Sequence, residues 1–153
     1  MAERLVAAIQ DVLIGPWYGE VFDLLLTDQR FLIVFVSKFN MKYGSETRDL
    51  SRYVKESMQV LASGEKAISI SFQGVKEILQ KKGPEGGWHY LILTRTSDDG
   101  KAKRVKLMML PQDIPRMYSV VRTESHERLA PLNMDYEEGI ELLLKKAMPG
   151  IHL

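Results

Sequence analysis

The stretch that decides the fold is residues 18–37, which read YGEVFDLLLTDQRFLIVFVS. Two runs rich in β-branched, aromatic and leucine residues, 18–26 and 31–37, flank the polar segment TDQR at 27–30. Side chains of Asp and Thr hydrogen-bond to nearby backbone N–H groups, so they favour tight turns. The pattern therefore predicts an antiparallel hairpin whose two strands meet at this turn.

A second group of strands is predicted further along the chain. Residues 67–72 alternate apolar and polar side chains, as a half-buried strand does. Residues 75–82 (VKEILQKK) have mixed polarity and end at a glycine-rich turn. Residues 88–96 (WHYLILTRT) and 102–110 (AKRVKLMML) flank the turn SDDG at 97–100, whose glycine tolerates the positive φ of hairpin turns. These segments predict a second antiparallel ribbon.

A helical insert is predicted between the two groups of strands, at about 45–63. Its apolar residues recur at helical spacing on an otherwise polar segment. Ser45 suits an N-cap, and Gly64 stands where a left-handed cap ends a helix. Residues 2–13 also predict a short helix, because their apolar residues share one helical face; a strand beginning at Val12 is the alternative.

Two C-terminal helices are predicted after the second ribbon. Residues 113–122 place apolar side chains on one helical face behind a possible Asp113 cap, and residues 123–133 connect this segment to the next. Residues 135–147 carry acids in the first turn and two lysines in the last, which matches the helix dipole. Gly139 inside this helix costs up to about 1 kcal/mol relative to Ala.

Composition excludes several classes of protein. The 153 residues contain no cysteine, which rules out a disulfide framework, a thiolate metal site and a cysteine nucleophile. The net charge of +1 gives no general electrostatic grip on nucleic acid, so no nucleic-acid partner is expected. The longest apolar run, 31–36, is far shorter than the ~20 residues of a spanning helix, so no transmembrane segment is expected. The three histidines are far apart, so neither a metal site nor a cofactor is expected.

Two stretches carry a resemblance to a known superfamily. Residues 24–34 (LLLTDQRFLIV) are similar to an L-T-D-x-R-L-I hairpin, and residues 68–78 (ISISFQGVKEI) to an I-x-y-x-x-I-x-x-I/V strand. Both motifs resemble the pleckstrin-homology-like (PH-like) superfamily, and within it the GRAM-type and prokaryotic PH-like domains. The resemblance covers residues 10–122, although Ser71 stands where the family has proline.

The resemblance implies an α+β fold and a role in binding. The expected architecture is a PH-like, antiparallel, partly open β-barrel with the helical insert at about 45–63 and C-terminal helices. We expect a single domain over 1–153, with a core at about 10–122 and an appended C-terminal helix within 124–153. Members of the superfamily bind phosphoinositides, peptides or other proteins, so the fold alone does not specify the ligand.

Basic residues of the second ribbon form a candidate site for anions or lipid headgroups. Residues 76–106 contain eight bases and four acids. Each base near a membrane surface contributes about 1 kcal/mol of attraction to anionic lipid. The alternative is a solvated edge that resists aggregation, and the two turns lie at opposite ends of a meander, so the charges need not form one patch. The candidate residues are Lys81, Lys82, Lys101, Lys103 and Arg104.

Two aromatic residues and two helices are candidates for contact with a partner. Trp17 and Tyr18 follow Pro16, where exposed aromatics would anchor a partner and buried ones would plug a barrel end. The apolar stripes of 45–63 and 135–147 either pack on the sheet or form a dimer surface.

The sequence thus predicts a non-enzymatic binding or scaffolding module for a protein partner or for a second copy of itself. The alternative is an adaptor for anionic lipid headgroups or a membrane surface. We expect it in the cytoplasm, peripheral at the membrane in the second case.

Overall fold

The protein is described by a computed structural model that covers residues 2–16, 18–39, 48–83, 88–111 and 114–150. These residues form nine antiparallel strands in one open sheet, together with three α-helices, so the α+β class is confirmed. In chain order the elements are β1 (Leu5–Gly15), β2 (Glu20–Thr27), β3 (Arg30–Lys38), α1 (Arg52–Lys55), α2 (Met58–Ala62), β4 (Ile68–Ser71), a 3₁₀ turn (Phe72–Gly74), β5 (Val75–Lys82), β6 (His89–Thr96), β7 (Ala102–Met109), β8 (Met117–Arg122), β9 (Glu127–Pro131) and α3 (Tyr136–Ala147).

The sheet consists of two ribbons joined through β1. The strands run in the order β4-β3-β2-β1-β7-β6-β5, so β4 and β5 are the two ends of this path. β1 pairs with β7 through Val12–Gly15 and with β8 through Ala7–Ile9, while β2 runs along its other side. The predicted hairpin of residues 18–37 is present as β2 and β3, with Leu26 opposite Phe31 beside the turn.

A β-bulge explains why the predicted N-terminal helix is wrong. The register of β1 against β2 shifts between Ile9 and Val12, and Asp11 inside the shift has φ 58°. The extra residue changes which side chains face the core, so Ala7 and Ile9 before the bulge and Val12 after it join the same cluster. Since β1 is buried on both faces, its apolar residues do not alternate, and their spacing resembles a helical stripe.

The main core lies between the sheet and α3. The predicted helix of residues 135–147 is present, and its Ile140, Leu143 and Leu144 are fully buried in the core cluster. Gly139 is buried where α3 crosses Met117, so a methyl group there would overlap the end of that side chain. The stripe of α3 therefore packs inside the domain.

The predicted insert forms two short helices, α1 and α2, rather than one helix. They cover the side of the sheet opposite α3. The predicted range 45–63 begins among residues 40–47, so the proposed Ser45 cap lies outside the described part of the chain. Glu56 is extended between α1 and α2, and the Ser57 hydroxyl caps α2 by accepting from the Val60 N–H at 3.2 Å. The apolar residues of the insert are buried against β1, β2 and β3 in a second cluster, whose members include Leu25, Leu32, Leu50, Tyr53, Met58 and Leu61.

The prediction of a helix over residues 113–122 is wrong for 114–122, and the expected Asp113 cap lies outside the described residues. Residues 117–122 form β8, and part of the expected connection, Glu127–Pro131, forms its partner β9. β7 pairs with β1 after the bulge, and β8 pairs with the same edge of β1 before it. Met117 faces the main core and Tyr118 the second cluster, so both faces of β8 are buried and its pattern does not alternate.

Candidate functional site

The five predicted basic residues lie in two groups at opposite ends of β6. Lys81 and Lys82 pair with Tyr90 and His89 near the start of β6. Arg104 pairs with Thr94 near its end, and Lys101 precedes β7 at the turn there. Thr94 is four residue steps along β6 from Tyr90, which corresponds to about 13 Å along an extended strand.

The individual environments of these bases also differ. Lys82 Nζ lies 3.7 Å from Glu137 Oε2 on α3 in an exposed ion pair. Lys103 lies opposite Arg95 in the β6–β7 ladder. Lys81 and Arg104 lie opposite Tyr90 and Thr94, on the side of the sheet turned away from the core. The structure therefore leaves the five bases in two separate groups, Lys81 and Lys82 in one and Lys101, Lys103 and Arg104 in the other, and does not collect them at one point.

We use the name outer face for the side of β5, β6 and β7 that is turned away from the core. Residues on the opposite side, such as Leu91, Leu93 and Leu107, are fully buried, which identifies the two sides. Leu79 of β5 is 48% exposed at the edge of this face, and Lys106 Nζ lies 4.5 Å from the ring centroid of Tyr90. In cross-strand rows the outer face consists of Lys81, Tyr90 and Met108, then Leu79, Ile92 and Lys106, then Glu77, Thr94 and Arg104.

β5 is an open edge of the sheet. Its ladder hydrogen bonds go to β6, and the described residues offer it no second strand. β5 begins with a register shift between Val75 and Glu77 and continues regularly to Lys82. An edge strand presents unpaired N–H and C=O groups, which makes it a template for pairing with another strand.

The predicted aromatic pair is only partly described. Trp17 lies outside the described residues. Tyr18 packs against a third apolar cluster that includes Leu13, Val21 and Leu110, and it is half-buried. Its ring lies so close to Gly15 that a Cβ there would be 2.5 Å from Tyr18 Oη. The packing of Tyr18 is closer to the expectation of a buried aromatic that fills a barrel end than to that of an exposed aromatic that contacts a partner.

A buried polar network lies beneath the insert, and sequence reasoning missed it. Asp11 and Asp23 are 0% exposed on neighbouring strands, and the Asp11 N–H donates to Asp23 Oδ1 at 3.0 Å. Arg48 donates to Asp11 Oδ1 through Nη2 at 2.6 Å and through Nε at 3.2 Å, and Nη2 also donates to Asp23 Oδ1. The Tyr53 hydroxyl donates to Asp23 Oδ2 at 2.5 Å.

Further donors complete the network from the other side. Arg116 is 0% exposed; its Nη1 lies 3.3 Å from Asp11 Oδ2, and its Nε donates to the Pro111 carbonyl at 3.1 Å. Gln10 Nε2 donates to Asp11 Oδ2 at 3.3 Å. The carboxylates are thus bonded to protein donors on both oxygens, so the network is arranged to hold strands and insert together.

The pKa shifts in the network follow from burial and charge. Burial raises the pKa of Asp11, although the neighbouring Arg48 guanidinium opposes that shift. Burial opposes the positive charge of Arg48, but the carboxylates of Asp23 and Asp11 outweigh it and raise its pKa. Burial and then the Asp23 carboxylate raise the pKa of Tyr53, which keeps its hydroxyl protonated as a donor.

A cleft of about 520 Å³ opens between the insert and the β8–β9 hairpin. Arg48 and Tyr118 line it, so one wall is continuous with the polar network. Lys55 and Arg128 contribute positive charge, while Asp49 and Glu127 contribute negative charge. Arg48 is already paired with Asp11 and Asp23, and the other four charges balance, so the lining favours neither sign of ligand strongly.

His89 connects the second ribbon to α3. Its side chain is buried, its Nε2 lies 2.6 Å from Gln80 Oε1, and its ring stacks on Tyr136 with centroids 5.6 Å apart. Burial lowers the pKa of His89 below its ordinary 6.5, although Glu137 opposes that shift. The neutral imidazole therefore serves as a packing and hydrogen-bonding group at this joint.

The described residues contain no group of His, Cys, Asp or Glu arranged to hold a metal ion. None of their helices has the length and apolar character needed to cross a membrane. Comparison of the chain with family models, with curated proteins and with solved structures gave no match.

Proposed function

We propose that the protein is a non-enzymatic binding module of PH-like or GRAM-like type, which binds a protein partner or a second copy of itself. The observation that carries this proposal is the outer face together with the open edge of β5. This face has an apolar centre with charged side chains around it, and the described residues offer no strand to pair with the adjoining edge.

Support for the PH-like kinship comes from the arrangement of the elements. Two antiparallel ribbons meet through β1, the insert lies between β3 and β4, and α3 packs into the core after the last strand. The β8–β9 hairpin is an addition to this arrangement, and the hairpin and the insert together cover the side of β1–β3 that is turned away from α3. They leave the β5–β7 side as the more exposed of the two sheet surfaces.

The composition of the outer face favours a protein over a small molecule. Its exposed Leu79 and half-buried Tyr90, Ile92 and Met108 lie side by side on three adjacent strands, and none of them lines a cleft described above. Aromatic residues and methionine are enriched at protein interfaces, whereas small-molecule sites are concave. The bases Lys81, Arg104 and Lys106 add charge around this apolar centre.

A sedimentation experiment over a concentration series tests the proposal. We expect the mass of the purified chain to rise with concentration, and we expect Ile92→Asp, in the middle of the outer face, to reduce that rise. Glu124→Arg, in the exposed β8–β9 turn, is the control for an unrelated surface change. A chain that stays monomeric at all concentrations, and whose outer face binds no protein, would refute this function.

The alternative function is an adaptor for anionic lipid headgroups, which the bases Lys81 and Arg104 on the outer face favour. Co-sedimentation with vesicles of phosphatidylcholine, with and without phosphatidylserine, separates this function from the first. Under this alternative the triple change Lys101→Glu, Lys103→Glu and Arg104→Glu abolishes co-sedimentation. Equal recovery with neutral and anionic vesicles would remove the alternative.

A further inference from the structure

The open edge of β5 has a sequence that is complementary to itself. The regular part of its ladder, Glu77–Lys82, begins with the segment EILQK at 77–81. When this segment pairs antiparallel with the same segment of a second copy, with Leu79 opposite Leu79, Glu77 of each copy lies opposite Lys81 of the other. The two remaining positions, Ile78 and Gln80, then face each other.

The side chains that meet in this arrangement lie on the exposed side of the sheet. Glu77, Leu79 and Lys81 belong to the outer face, opposite Thr94, Ile92 and Tyr90 of β6. Among the described residues neither Glu77 nor Lys81 has an ion-pair partner. Leu79, at 48% exposure, is among the few large apolar side chains that the described surface leaves exposed.

The bulge at the start of β5 removes the main obstacle to self-pairing. In the Leu79-centred register, the next pair outward is Lys76 with Lys82, and like charges directly opposite each other are destabilising. Lys76 is the extra residue of the register shift between Val75 and Glu77, so it leaves the regular ladder. Lys82 is engaged with Glu137, 3.7 Å away.

We propose that β5 is a self-association edge, at which two copies of the chain pair β5 with β5 in antiparallel orientation, centred on Leu79. Glu77 of each copy then lies opposite Lys81 of the other. The result is a continuous six-stranded outer face that runs from β7 of one copy to β7 of the second. This inference rests on the proposed function and names its partner as a second copy.

Neighbouring registers are less favourable. A two-fold axis at Ile78 would place Glu77 opposite Leu79, and an axis at Gln80 would place Leu79 opposite Lys81. Each would set a charge against the apolar centre. Of these three registers, only the Leu79-centred one pairs opposite charges with each other and leucine with leucine. Electrostatic attraction and apolar contact therefore both favour it.

Since the chain has no cysteine, a single introduced thiol reports the register directly. Residues opposite each other in an antiparallel pair have Cα atoms about 4.5–5.5 Å apart, which lies within disulfide range. Leu79→Cys, under mild oxidation, is therefore expected to form a covalent dimer in high yield. Val60→Cys, on α2 at 58% exposure, is the matched control and is expected to stay monomeric.

Charge reversal tests the pairing without a covalent bond. Glu77→Lys or Lys81→Glu alone places like charges opposite each other at two symmetric positions, so we expect the dimer Kd to rise roughly tenfold or more. The double change, Glu77→Lys with Lys81→Glu, restores opposite charges and is expected to bring the Kd back to near the wild-type value. Glu124→Lys, in the exposed β8–β9 turn, and Lys38→Glu, exposed at the end of β3, are the controls, and circular dichroism checks that each variant folds.

The outcomes separate this inference from the proposed function. A concentration-dependent dimer with no Leu79→Cys crosslink and no rescue by the double change would overturn the β5 register, while the binding-module function would stand. A strictly monomeric wild-type chain would overturn the inference, and the function would then depend on a protein partner. Crosslinking with rescue supports both.

Discussion

Replacing Arg48 by methionine is expected to destabilise the domain strongly, because it leaves two buried carboxylates without their shared cation. Arg48 makes three hydrogen bonds to Asp11 Oδ1 and Asp23 Oδ1. Removing one member of a buried ion pair costs about 3–5 kcal/mol, because the remaining charge stays buried. Asp11 keeps its bonds from Gln10 and Arg116, so we expect a value near the lower limit, about 3 kcal/mol.

Urea unfolding monitored by circular dichroism measures this loss. With a slope of about 2 kcal/mol per molar urea, the midpoint should fall by about 1.5 M. Arg52→Met is the matched control, because Arg52 pairs with Glu56 at 3.4 Å on the exposed side of α1, where such a pair contributes about 0.3–0.5 kcal/mol.

The loss should also depend on pH. Burial already raises the pKa of Asp11, and Arg48 is the group that opposes this shift most, so the variant raises the pKa further. A protonated Asp11 needs no cation, and the destabilisation should therefore be smaller at pH 5 than at pH 7.5. A loss at pH 7.5 no larger than that of Arg52→Met, or one that does not change with pH, would refute this account of the network.

Three other predictions concern single contacts. Gly139→Ala should lower stability by about 1 kcal/mol, because overpacking against Met117 exceeds the gain in helix propensity. In a Met117→Ala background the overpacking is relieved, so the same change should stabilise the domain by up to about 1 kcal/mol, and a loss there would contradict this reason. Tyr53→Phe should cost about 1–3 kcal/mol in urea unfolding, since Asp23 Oδ2 loses a buried donor, and an unchanged midpoint would count against that bond. Because the pKa of His89 in the folded protein is lowered from 6.5, neutral His89 contributes fully to folding stability above pH 6.5, and this contribution is lost as the pH falls below 6.5. The thermal unfolding temperature should therefore decline below pH 6.5, and His89→Gln should reduce that decline. Equal pH profiles for the two proteins would contradict this.

The parts of the fold that follow from short-range patterns could be predicted. The hairpin at 18–37 has two apolar runs and a polar turn that fit only one local arrangement, and α3 has an apolar stripe with matching terminal charges. The strands β4, β6 and β7 are likewise bounded by turn residues. In each case the local preference and the tertiary packing agree.

Two of the strands that were missed, β1 and β8, are buried on two faces, whereas the third, β9, is short and partly exposed. β1 and β8 lie between the main core and the second cluster, so burial does not alternate along them. The bulge at Asp11 shifts the period of β1 further, and no short-range rule predicts where a bulge lies. Helical spacing in an entirely buried strand is therefore an ambiguous signal.

The polar network had a signal in the sequence that was not used. Asp11 and Asp23 interrupt stretches that are otherwise almost entirely apolar, 5–14 and 21–26. A charged residue in a buried strand needs a partner, so these two positions call for a buried cation. The identity of that cation could not be predicted, because Arg48 and Arg116 are far from both in sequence.

Residue-resolved amide hydrogen exchange at low and high protein concentration tests the central claim most directly. If β5 is the edge at which copies meet, the amides of 77–81 that point away from β6 should gain protection as concentration rises, while the edge strand β4 should not change. Protection that is independent of concentration along β5, or that rises at the cleft between α1 and β9 instead, would contradict it.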